Sequence, residues 1–154
     1  MSTRRAFLST AASSAVCVAG FRLAVAQSSS VPAERLGLKG YDPVAYFTMA
    51  APTPGISEFE VVYDGVRYRF ANARHRDMFR AAPEKYAPQF GGMCAMNMAN
   101  GNPREADPTI WIISNGNLYV FAGTAGQERF RLEAGAQSAR ASANWKTLKN
   151  RPSQ

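Results

Sequence analysis

The chain is 154 residues long, 46% hydrophobic and 11% aromatic, with 18 Lys and Arg against 11 Asp and Glu for a net charge of +7. That is the length of one domain with a core-forming composition, which excludes a disordered chain and two independent cores. Two cysteines exclude a disulfide-rich scaffold, and no apolar run is long and clean enough to predict a stable membrane span.

Taken in chain order, Thr3-Arg4-Arg5-Ala6-Phe7-Leu8 sets paired arginines before a weakly hydrophobic stretch rich in Ala and Ser. Ala24-Val25-Ala26 then supplies the small-x-small pattern that a signal peptidase needs. Residues 1–26 are read as a twin-arginine export signal, which predicts a periplasmic or extracellular location. Arg22 and the serines make an uncleaved anchor the weaker alternative. Export leaves residues 27–154 with one cysteine, Cys94, and one histidine, His75. The reduced positive charge of that chain concerns solubility and predicts no nucleic-acid partner. Residues 27–35 read as a flexible linker and residues 36–150 as the folded domain, ending in a helical extension.

Asp42-Pro43 predicts a turn into a short strand over Val44-Ala45-Tyr46-Phe47. Two hairpins follow from Asp64-Gly65 and Asn115-Gly116, each flanked by β-prone runs. In the first hairpin Val66, Tyr68 and Phe70 alternate with Arg67 and Arg69, so one face is expected inside. Asn72 predicts a helix cap for residues 73–81, with Met78 and Phe79 inward and a stop near Pro83. Pro88-Gln89-Phe90-Gly91-Gly92 reads as a breaker, and residues 93–99 as a short buried helix. Residues 127–132 and 136–149 read as helical. No internal repeat is expected. The fold class is α+β, with a small antiparallel sheet built from the two hairpins and packed with several short helices.

Four ordered phrases resemble the YHS domain and its exported branch. They are Gly40-Tyr41-Asp42-Pro43-Val44-Ala45-Tyr46-Phe47, the run from Tyr68 to Phe79, Pro83-Glu84-Lys85-Tyr86, and Gln89-Phe90-Gly91-Gly92-Met93-Cys94-Ala95. The helical end with Asn144-Trp145 also fits that branch. Related metal-sensing modules carry cysteines at the positions held here by Ala45, Ala71 and His75, so a tetrahedral cysteine site does not carry over. The resemblance to the exported branch implies a chemically active chalcogen at Cys94.

His75 is expected as the third residue of an Asn72-capped helix, where the positive end disfavours imidazolium and keeps a ligand-competent ring. Cys94, following Gly91-Gly92, is expected in a first helical turn whose free amides favour a thiolate. The functional expectation is a cleft in which Cys94, His75 and Met98 hold a soft transition metal, copper first. Tyr41, Asp42, Tyr46, Met93 and Met96 would line that cleft for a metal or small ligand, although Asp42 also suits a turn cap. One competing class is a thiol redox enzyme with Cys94 as nucleophile and His75 as its activator. Another is a non-catalytic protein-interaction module. The arginines at 67, 69, 74, 76 and 80 read as a solvated basic corner. Oligomeric state is not legible.

Overall fold

A computed structural model describes residues 35–149. The expected signal, residues 27–34 of the expected linker and Asn150 at the expected domain end lie outside the described residues. Asp64 and Gly65 take φ of 47° and 73°, and Asn115 and Gly116 take 50° and 76°. Paired positive angles of this kind turn a chain back in two residues without splaying the strands. They close β2 (Ile56–Tyr63) on β3 (Val66–Phe70) and β4 (Asp107–Ser114) on β5 (Asn117–Phe121), both antiparallel. The α+β class holds, but the hairpins form two sheets rather than one. β1 (Arg35–Leu36) adds parallel to β3, giving the order β1-β3-β2, while β4 and β5 stand as a pair. Arg35 therefore belongs to the fold and not to the linker.

The strand expected after Asp42-Pro43 is a helix, α1 (Ala45–Thr48). Asp42 Oδ1 accepts from the amides of Val44 and Ala45 at 2.8 and 3.3 Å. Those are the donors that a starting helical turn leaves orphaned, and satisfying them overrides the β preference of Val44, Tyr46 and Phe47. α2 (Ala73–Ala81) has the expected bounds, and Asn72 Oδ1 accepts from the His75 amide at 2.9 Å. Phe79 is buried and Met78 packs half-buried beside it. α3 (Pro83–Tyr86) starts on its proline, which has no amide hydrogen to satisfy. α4 is shorter than expected, Ala95–Ala99. Met93 stays extended and bridges Glu105, and Cys94 occupies the cap position ahead of the first turn. α5 (Thr124–Leu132) and α6 (Ala134–Leu148) each begin before their expected starts.

Laid side by side, these elements contradict the expectation of no repeat. The chain runs 3₁₀ turn (Gly37–Gly40), α1, β2, β3, α2, α3, then 3₁₀ turn (Gln89–Gly92), α4, β4, β5, α5, α6. The second series restates the first at near-constant spacing. Leu38 and Lys39 in one turn, Phe90 and Gly91 in the other, share left-handed φ between 50° and 60°. Bridges Tyr41–Pro54 and Met93–Glu105 correspond, as do the bulges between Ile56 and Glu60 and between Asp107 and Trp111. Tyr68, Phe70 and Phe79 fall opposite Tyr119, Phe121 and Phe130. The duplication escapes the sequence because few positions besides these ring residues keep their identity, and packing of rings against a hairpin tolerates the rest.

Each copy has its own core. Val44, Val66, Tyr68, Phe70, Phe79 and Tyr86 form one cluster. Cys94, Met98, Leu118, Tyr119, Phe121 and Phe130 belong to the other. Tyr46 crosses between copies: its ring stands edge-on to Trp111 at 5.2 Å and its hydroxyl donates to the Pro108 carbonyl at 2.7 Å. A fully buried side chain of this size contributes about 1.5–3 kcal/mol through surface removed from water.

Candidate functional site

The turn that Asp42 opens also determines where His75 goes. Asp42 is 0% exposed. Its Oδ1 holds the Val44 and Ala45 amides, and its Oδ2 accepts from the Ala71 amide at 2.9 Å and contacts His75 Nδ1 at 2.6 Å. Three backbone amides donate to the Asp42 oxygens, and His75 Nδ1 completes the set at the remaining position. The other ring nitrogen, Nε2, lies 3.3 Å from Thr48 Oγ1, whose hydroxyl also reaches the Val44 carbonyl at 3.1 Å. Asp42 is thus both the turn cap foreseen from Asp-Pro and the partner of the histidine. Thr48 is the member of this cluster that the sequence reading missed; it follows a β-prone run and offers no spacing signal.

Cys94 lies in the other copy's core, 2% exposed, with its amide donating to the Arg104 carbonyl at 2.9 Å. Cys94 stands at the N-cap rather than in the first turn, and its side chain makes no capping hydrogen bond with the α4 amides. Met98 is one helical turn on, its amide donating to the Cys94 carbonyl at 2.9 Å, and is fully buried. Met96 is buried in the same cluster and Met93 packs half-buried against it. The arrangement brings Asp42 to His75 and Cys94 to Met98. The hydrogen bonds of His75 all go to Asp42, Thr48 and Asn72. Among the described residues no three His, Cys, Asp or Glu side chains gather where a metal ion would sit.

Tyr41 is half-buried against the Cys94 cluster and Tyr46 is buried in it. Burial pushes the Tyr46 phenol well above the ordinary tyrosine value, with Tyr41, Asp107 and Asp42 adding to the effect. At Asp107 the hydroxyl and amide of Thr109 hold the carboxyl below its usual range. The basic corner is largely paired at the hairpin: Arg69 Nε donates to Glu60 at 2.8 Å and Arg67 approaches it at 3.6 Å.

An open cleft of about 330 Å³ lies elsewhere, between the β2–β3 turn, the α3–α4 connection and α6. Tyr63, Tyr68, Phe90 and Trp145 give it aromatic walls, and Glu84 and Lys146 give it opposite charges. Lys149 approaches Asp64 on the hairpin turn at 3.6 Å. None of the residues expected to line a cleft lines this one. Its walls come from segments far apart in the chain, and the sequence offers only hairpin alternation and a terminal Trp to mark them. No helix among the described residues is long and apolar enough to cross a membrane. Compared with known proteins, the chain matches no family model, no curated protein and no solved structure.

Proposed function

We propose that the chain is an exported, YHS-like binding module that takes a small ligand and performs no turnover through its thiol or imidazole. The observation carrying this reading is the engagement of the one histidine together with the burial of the one cysteine among the described residues. His75 has Asp42 and Thr48 at its two ring nitrogens, and Cys94 is 2% exposed. A thiol enzyme needs a base within hydrogen-bond reach of its sulfur and a path for substrate. Here the base is oriented by a carboxylate and a hydroxyl in the first copy, and the sulfur packs among methionines in the second. The aromatic cleft supports the ligand half of the reading, since small-molecule sites are concave, mostly apolar and furnished with a few polar groups. Export rests on Arg4-Arg5 and Ala24-Val25-Ala26, and the YHS likeness on its four motifs.

The test is the rate at which iodoacetamide alkylates Cys94 at neutral pH. In the folded protein it is expected to be at least roughly a hundredfold slower than in urea, because reaction requires local opening. Alkylation at the rate of a free cysteine would replace the binding module with the thiol enzyme.

A second reading is a copper module using sulfur alone, favoured by Cys94 and Met98 on consecutive turns with Met96 and Met93 on the same stretch. Titration of the protein with Cu(I) against a competing chelator separates the cases. Tight binding lost in C94A and kept in H75A supports it, and equal affinity of C94A and wild type rejects it.

A further inference from the structure

The two copies differ in what they leave open at one corner. In the first, Asp77 on α2 is held by Arg76 at 2.9 Å and approached by Arg80 at 4.0 Å, and the helix ends on the small Ala81. Glu60 on β2 is taken up by Arg69 and Arg67. The residues at the places of Asp77, Arg80, Ala81 and Glu60 in the second copy are Glu128, Arg131, Leu132 and Trp111. Glu128 and Arg131, three residues apart on α5, make no ion pair among the described residues. Leu132 is 85% exposed, the largest exposure of any bulky apolar side chain described. The fold does not require it, since alanine serves the same place in the twin.

Next to Leu132 a recess of about 410 Å³ opens between the end of β4 and the start of α6. Trp111, Ile113 and Ala134 give it apolar walls, and Arg131 lies on its rim. Gln127 Nε2 donates to the Trp111 carbonyl at 2.7 Å, so the recess offers side chains rather than that strand oxygen. An apolar projection next to an apolar hollow is what a two-fold axis requires, because one patch must serve both partners. We infer that this corner pairs the chain with a second copy of itself, Leu132 of each entering the recess of the other and Glu128 of each meeting Arg131 of the other.

Charge favours the same occupant. Glu128 and Leu132 are four residues apart on α5 and share a face, so the acid accompanies the projecting leucine. Arg131 belongs to the hollow. Each copy therefore brings to the contact the charge that the other lacks, and a two-fold axis makes the pair twice. The recess shares no residue with the aromatic cleft, so the inference goes beyond the binding-module reading and does not depend on it.

The test is sedimentation velocity of the full chain from about 2 to about 200 µM. A monomer–dimer equilibrium with a dissociation constant of about 10 µM is expected, as suits a small interface. L132D is expected to weaken it about a hundredfold, because each dimer loses two seated leucines. E128R and R131E are each expected to weaken it about tenfold, and E128R/R131E to return within about threefold of wild type, since the pair is restored with its signs exchanged. D77R, the matched change in the first copy, should leave the dimer as it is. Leu132 already lies in water in the single chain, so L132D should melt with the wild type at low concentration and its effect is not a loss of fold. A chain that stays monomeric at the highest concentration, a dimer that survives L132D, a double variant no better than the single ones, or an equal loss in D77R overturns the inference.

Discussion

Asp42 concentrates more of the fold's polar wiring than any other described side chain. It caps α1, ties the end of β3 through the Ala71 amide and orients His75. Removing it strands three amides and an imidazole in a buried place. Asp42→Ala is expected to lower unfolding free energy by about 3–5 kcal/mol, the range for breaking a buried pair from one side. His75→Ala leaves Asp42 with its three amide donors and should cost less, about 1–3 kcal/mol. Urea midpoints of the two variants check the order; equal losses would mean that the amide contacts matter little. Asp-Pro was legible as a turn, but its partnership with a histidine 33 positions later was not. Local sequence carries capping chemistry and no information about which distant donor fills the remaining lone pair.

At the scale of elements, legibility followed the same division. Asp64-Gly65 and Asn115-Gly116 marked both hairpins because their backbone angles are demanded by residue type. Asn72 marked the start of α2 for a similar reason, and Asn72→Ala is expected to cost about 1 kcal/mol in chemical denaturation. A loss below measurement would show that the Ala71–His75 corner is held by Asp42 alone. α1 was misread because its helical signal is one carboxylate oxygen, while Tyr46 and Phe47 advertise a strand. Met93 was read into α4, yet its bridge to Glu105 keeps it extended. In each case a hydrogen bond outweighed a propensity of a few tenths of a kcal/mol.

Across the whole molecule the two cores share one dependence on pH. Tyr46 in one and Tyr68 in the other are buried neutral, and burial raises both phenols above the ordinary 10.0. The unfolded chain releases these protons first. Stability from this source is therefore complete below about pH 10 and declines as pH rises beyond it. Tyr46→Phe removes the donor to Pro108 and should cost about 1–2 kcal/mol at neutral pH. It should also flatten the alkaline decline relative to wild type. Urea midpoints across pH 7 to 11.5 check both; an unchanged slope would show that Tyr46 does not contribute.

The duplicated plan has a practical corollary. A molecule that builds the same architecture twice carries its own internal reference, measured in the same tube and under the same solvent. Where Asp42 and His75 stand in the first copy, Cys94 and Gly126 stand in the second. Each chemical claim about one copy therefore has a matched blank in its twin.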